Sequence, residues 1–160
     1  MFNKILVCLD GSELAEQIIP YAWEQAKAFS CCVVFVHVIP TPVITSPGMP
    51  GVPDYPIQTD VMLEEMKQEI TKGKKYLNRA ALPFKKAGFK TKSVILEGSA
   101  GEQIVQYADK NKIELIAIAT HGRGGLGRFV FGSVADFILR QSGLPVLVVK
   151  SRAASEHGKM

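Results

Sequence analysis

The stretch of this 160-residue chain richest in possible chemistry is Ala119 to Ser133, ATHGRGGLGRFVFGS. Gly122, Gly124 and Gly127 spell GxGxxG, the spacing of a dinucleotide-binding turn. That turn belongs after the first strand, with an acidic residue about 20 positions on to hold a ribose. Here it falls late in the chain, and 146–149 read Val-Leu-Val-Val. Gly127 to Gly132 followed by Ser133 also imitates a phosphate loop, but the lysine that supplies its point charge is missing. Both conventional readings fail. What survives is a phosphate cradle in physical terms: glycines let backbone N–H groups approach an anion, and Ser133 stands where a helix begins. Helix N-termini carry unpaired donors and about half a positive charge. Arg123 and Arg128 add cationic side chains, and His121 lies close by in sequence. Ser133 could equally be an ordinary helix N-cap.

Asp10 is the second candidate. It ends the apolar run Asn3 to Leu9 (NKILVCL), at what should be the carboxyl end of a buried strand. Asp10-Gly11-Ser12-Glu13 also resembles a capping box, so Asp10 has both a ligand reading and a helix-starting one. No Ser/His/Asp arrangement and no metal-ligand spacing stands out. Cys8, Cys31 and Cys32 form neither a CxxC pair nor a Cys/His cluster, and an odd count is no disulfide framework. Adjacent Cys31 and Cys32 should point to opposite faces of a strand and act as buried, inert thiols.

The elements that must position these residues follow from hydrophobic periodicity. Ser12 to Ser30 carries helical spacing, with Pro20 kinking it or sitting where its lost donor is tolerated. Cys31 to Ile39 (CCVVFVHVI) is β-rich on both faces, as an interior parallel strand is. Six of nine prolines then fall between Pro40 and Pro56, which predicts a long surface loop over 40–58. Met62, Met66, Ile70, Leu77 and Ala81 space a helix whose stripe should pack into the core, with Pro83 and Gly88 ending it. Strand, helix and strand are predicted over Lys90 to Leu96, Gly101 to Asn111 and Ile113 to Thr120. A helix from Ser133 to Gln141 and a strand from Pro145 to Lys150 complete the domain, with 151–160 as a polar tail. Alternating strands and helices imply right-handed crossovers and an open, twisted, five-stranded parallel sheet covered on both faces. Ligands bind such α/β sheets at the carboxyl ends of strands, where the strand order reverses. Asp10, Val38 to Pro40 and the residues from Thr120 onward meet that rule.

Composition sets the outer bounds. A mass of 17.5 kDa suggests one domain, and 47% hydrophobic with 21% charged residues is ordinary globular composition, which excludes disordered and collagen-like chains. The apolar runs are far shorter than the roughly 20 residues of a membrane span, and no secretory signal pattern is read, so a cytoplasmic location is expected. Net charge is +4, yet between Glu69 and Glu97 lie eight basic residues and no acid. Phe84 and Phe89 interleave with them but no nucleic-acid motif is present, so a solvated face is favoured over a nucleic-acid surface.

Taken together, Gly122 separated by nine residues from Gly132-Ser133, the opening KILVCLDGS, the second strand ending HVI and the closing LPVLVVK resemble the universal stress protein family. The resemblance extends from Asn3 to Lys150. It implies a flavodoxin-like, Rossmann-like sheet of order 3-2-1-4-5 and ATP binding. Carried over, Asp10 would lie near the ribose, the triphosphate or an accompanying Mg²⁺ or Mn²⁺ ion, and Val38 would offer its backbone to adenine. Gly122, Gly132 and Ser133 would hold phosphates, with backbone amides around Arg123, Gly124, Gly125 and Val134 contributing, and His121 beside them. The first glycine of the signature falls on Ala119, which puts a methyl group where family backbones approach the nucleotide. The family's habit of dimerising through the last strand makes Val146, Leu147, Val148 and Val149 the expected homodimer edge, and a long apolar edge strand invites the same pairing.

Three functions are therefore weighed. The first is an ATP-binding stress-response sensor or adaptor. The second is a slow ATP hydrolase, although the SGGxDS loop of ATP pyrophosphatases is replaced here by Asp10-Gly11-Ser12. The third is a nucleotide-independent interaction protein working through its last strand or its proline-rich loop.

Overall fold

The computed structural model describes residues 2–41, 60–121 and 132–150. Its elements follow in the order β1 (Lys4–Cys8), α1 (Glu13–Glu16), α2 (Ile19–Phe29), β2 (Cys32–Ile39), α3 (Asp60–Lys86), β3 (Thr91–Glu97), α4 (Ala100–Lys110), β4 (Leu115–Thr120), α5 (Ser133–Gln141) and β5 (Val146–Lys150). All strand pairs are parallel, and the sheet order is β3-β2-β1-β4-β5. This is the expected doubly wound α/β fold. The proline-rich loop beyond Thr41, the glycines and arginines of 122–130, and the C-terminal tail lie outside the described residues.

Strand alternation sorts the core into two layers. Ile5, Val7, Leu9, Val33, Phe35, Leu115 and Ala117 pack beneath α2 and α3, against Ala22, Ala26, Leu77, Ala81 and Phe84. Leu6, Cys8, Val34, Val36, Ile116 and Ile118 face the opposite way, against Ile104 and Ala108 of α4 and Ala135 and Ile138 of α5. The same alternation sends Cys31 to the first layer and Cys32 to the second. Trp23, Phe35 and Phe89 surround Phe84, with Trp23 and Phe35 meeting it edge-on at 4.9 and 5.1 Å between centroids.

Four local details refine or correct the expectations. The helix after β1 is two helices: α1 lasts four residues, and α2 restarts with Pro20 in its first turn. There its missing N–H costs nothing, because first-turn donors have no intrahelical acceptor. Pro83 does not end α3 but sits inside it. The ring removes one N–H near an exposed surface, and buried Phe84 holds the final turn in the core. The expected stripe is core only in its second half: Leu77 and Ala81 are buried, while Met62, Met66 and Ile70 are half-buried. A 27-residue helix is about 40 Å long and overruns the strands it covers. Finally, the N-cap of α5 is Gly132, so Ser133 is its first helical residue.

Candidate functional site

β1 and β4 are neighbours, but the chain leaves β1 toward β2 and leaves β4 toward β5, in opposite directions along the sheet. The connections diverge there, and a crevice opens at the carboxyl ends of the two strands. A pocket of about 290 Å³ occupies this place. Its walls come from Cys8, Leu9 and Asp10 after β1, Val36 and Val38 of β2, Ile118 to His121 at the end of β4, and Gly132 to Ala135 at the start of α5. Leu14 and Ala15 of α1 and Ala100 and Ile104 of α4 complete it. The expected residues Asp10, Val38, Ala119, His121, Gly132, Ser133 and Val134 thus line one cavity. Gly122, Arg123, Gly124, Gly125 and Arg128 lie outside the described residues.

Asp10 is exposed and serves the turn that starts α1. Its Oδ1 accepts hydrogen bonds from the Ser12 backbone N–H at 2.9 Å and from the Ser12 hydroxyl at 2.6 Å. Ser12 is the N-cap, and its Oγ accepts from the Ala15 N–H at 3.1 Å. Asp10 therefore supports the cap rather than forming it, and its second carboxylate oxygen has no hydrogen bond within the described residues. Among those residues no group of three or more His, Cys, Asp or Glu could hold a metal ion. A divalent ion here would need oxygens from a ligand.

The start of α5 is built by Thr120, which periodicity alone did not single out. Thr120 is 5% exposed, and its Oγ1 accepts from the Gly132 N–H at 2.9 Å. A Cβ on residue 132 would stand 3.2 Å from that oxygen, so a side chain there would press on Thr120, while the backbone conformation itself does not call for glycine. Among the described residues no side chain accepts from the N–H groups of the first turn of α5. The N–H groups of Ser133, Val134 and Ala135, at the head of this helix, have no intrahelical acceptor and point toward the pocket end of the helix. That terminus also carries the positive end of the helix dipole. Apolar walls with one donor-rich edge suit a small ligand bearing an apolar ring and an anionic group.

The thiol of Cys8 lines the pocket floor, where burial pushes it up to about 12. Beyond the rim, Arg79 of α3 lies 3.7 Å from the Glu16 carboxylate and 5.7 Å from the centroid of the Tyr76 ring. Burial pushes the Tyr76 hydroxyl up to about 12, with the negative charge of Glu16 adding to it. The exposed Arg79–Glu16 pair links α1 to α3 beside the pocket and is worth little to stability by itself. The sheet edge at β5 is half-buried from Val146 to Val149, with Val146 and Val148 on one face and Leu147 and Val149 on the other.

The fold and the crevice define a doubly wound α/β protein with a pocket at its switch point. The model of the universal stress protein family matches residues 1–150. The chain belongs to that family. It is similar to universal stress protein MJ0531 of Methanocaldococcus jannaschii, with 30% identity over 94% of this chain and 83% of the relative. It is also similar to universal stress protein MJ0577 of the same organism, at 30% identity over 95% of this chain and 97% of the relative. The solved structure of MJ0577 superposes with a TM-score of 0.74 over 96% of this chain and 99% of that one. Two more distant structures share the fold: a universal stress protein in complex with cAMP (TM-score 0.58, 20% identity) and one from Arabidopsis thaliana with AMP bound (TM-score 0.64, 16% identity). No helix among the described residues is long and apolar enough to cross a membrane.

Proposed function

We propose that this chain is an adenine-nucleotide-binding universal stress protein, with ATP as its ligand, acting as a cytoplasmic stress-response sensor or adaptor. The observation that carries the reading is the uncapped N-terminus of α5 at the rim of a switch-point pocket. A base would enter between Val38 and the walls of β1 and β4, and phosphates would run to the amides of Ser133 and Val134. Gly122, Arg123, Gly124 and Gly125 would close the phosphate side. Mg²⁺ or Mn²⁺ would ride on the phosphates, with Asp10 as the available carboxylate. The relatives with AMP or cAMP bound support the ligand class. Ala119 replaces a signature glycine with the smallest possible side chain. Binding, not turnover, is the activity of this reading.

The test is a thermal-unfolding titration with ATP and Mg²⁺, repeated with ADP, AMP and cyclic AMP. A ligand at 100 times its dissociation constant stabilises the fold by about 2.7 kcal/mol. A shift with an adenine nucleotide, lost when Gly132 and Ser133 are replaced, is the expected result. No shift with any of the four would sink the reading. A second reading, a nucleotide-independent interaction protein, is favoured by the apolar β5 edge, which pairs only with β4 among the described residues. Homodimerisation through Val146, Leu147, Val148 and Val149 is compatible with both, and light scattering showing only monomer at micromolar concentration would exclude it.

A further inference from the structure

β1 and β2 stop pairing at Cys8 and Val36, yet β2 runs on to Ile39. One more rung follows, the Leu9 N–H donating to the Val36 carbonyl at 2.9 Å. In a regular parallel ladder the next rung would run from the Val38 N–H to the Leu9 carbonyl. Instead His37 Nδ1 stands 2.9 Å from that carbonyl oxygen. A carbonyl only accepts, so Nδ1 carries the hydrogen and the ring is the donor. The direction of the Val38 backbone follows from its neighbours. Val33 donates to Lys90 and Ile39 accepts from Gly98, so odd-numbered residues of β2 turn their backbone groups toward β3. Val36, and with it Val38, turns toward β1. Because β1 has ended, Val38 aims its N–H and C=O beyond the strand, at the pocket it lines.

The ring itself is held from the other side. Gly73 lets α3 close over it: a Cβ there would stand 3.1 Å from His37 Cδ2 and 2.9 Å from Ile95 Cδ1. Tyr76 meets the imidazole edge-on, with centroids 6.1 Å apart. Strand end, second strand and helix thus converge on one side chain.

We propose that His37 is a positioning residue for base recognition. By occupying the Leu9 carbonyl, it ends the β1–β2 ladder one rung early and leaves the Val38 N–H and C=O as a donor–acceptor pair for a ligand. That pair matches a heterocycle with a ring-nitrogen acceptor beside an exocyclic amine, as in a 6-aminopurine. It mismatches a 6-oxopurine, whose edge carries the reverse pattern. The ligand half of this inference rests on the nucleotide reading above; the backbone half does not.

Amide exchange measured by NMR on the ligand-free protein tests the backbone half. In the wild type Val38 should exchange far faster than Val36. In His37→Phe, which keeps a ring but loses the donor, the Val38 N–H is free to close on Leu9 and should gain about fivefold protection, the worth of one hydrogen bond. His37→Asn, whose side-chain N–H lies as many bonds from Cα as Nδ1 does, should keep the wild-type pattern. A Val38 amide as protected as Val36 in the wild type overturns the proposal without any variant. ATP and ITP titrations test the ligand half: wild type and His37→Asn should prefer ATP at least tenfold, and His37→Phe should lose most of that preference. An ATP/ITP ratio unchanged in His37→Phe overturns the specificity role. Fast Val38 exchange in a wild type that binds no nucleotide upholds the backbone half and overturns the nucleotide reading instead.

Discussion

Thr120 Oγ1 accepts the Gly132 N–H at 2.9 Å and thereby ties the last residue of β4 to the cap of α5 across 12 positions of sequence. The hydroxyl orients the helix start whose next amides are left free. Replacing Thr120 by Val keeps the shape and strands a part-buried N–H. A stability loss of about 1–2 kcal/mol is expected in urea unfolding, together with weaker nucleotide binding. Thr120→Ser should retain both. Equal stability of Val and Ser variants would show that the bond does not hold α5.

Gly101 lies on α4 where α5 crosses it. A Cβ there would stand 2.7 Å from Phe137 Cδ1 and 2.9 Å from Cγ, and a ring cannot yield as a flexible chain end does. Gly101→Ala should therefore destabilise by about 1–3 kcal/mol, as overpacking does. The usual gain of about 1 kcal/mol for Ala over Gly in a helix works against this and loses. A raised melting temperature would refute the close packing of the two helices.

Ser12 caps α1 and is itself held by the Asp10 carboxylate. Ser12→Ala should cost about 1 kcal/mol, the ordinary worth of an N-cap. Asp10→Asn keeps an acceptor for Ser12 but removes the charge. Its stability should stay near wild type while any Mg²⁺ dependence of ATP affinity falls. Calorimetric titration with and without the metal measures this, and an unaltered metal dependence would remove Asp10 from ion binding.

At the opposite end of the sheet, the Asn3 backbone and side-chain N–H groups donate to the Glu114 carboxylate and hold it below the usual glutamate range. The folded value is the depressed one, so between it and the ordinary value the unfolded chain binds more protons. This contribution to stability is complete above the ordinary glutamate value and is lost as pH falls through the folded one. Urea midpoints of wild type and Glu114→Gln should converge as the solution is acidified through that window. Parallel pH profiles would exclude the linkage.

The thiols of Cys8 and Cys31 should be unreactive at neutral pH. Burial raises Cys8 to about 12 and raises Cys31 as well, so neither presents a thiolate nucleophile. Native protein should leave Cys8 unmodified by a thiol-specific alkylating agent until it unfolds, as mass spectrometry of digested protein would register. Rapid labelling of Cys8 in the native state would mean that the pocket floor opens.

The order of strands and helices was legible in the sequence because each strand is a short apolar run and each helix keeps its period, from KILVC in β1 to VLVVK in β5. The pocket was legible in part for a related reason: Asp10, Val38 and Ala119 sit at or near strand ends, and strand ends converge in a parallel sheet. The strand-end rule reached Thr120, but its bond to α5 was missed, because one threonine in an apolar run carries no periodic signal and that role exists only once Gly132 is folded back onto it. Pro83 and the methionine stripe misled for a matching reason. Whether a proline ends a helix or an apolar stripe is covered depends on what packs nearby, here Phe84 in the core and a helix longer than its sheet. The His37–Leu9 bond lies furthest from the sequence, since it joins residues 28 apart and depends on where one strand stops beside another. Local periodicity determines which elements form; only their registry in space decides which backbone groups are left free.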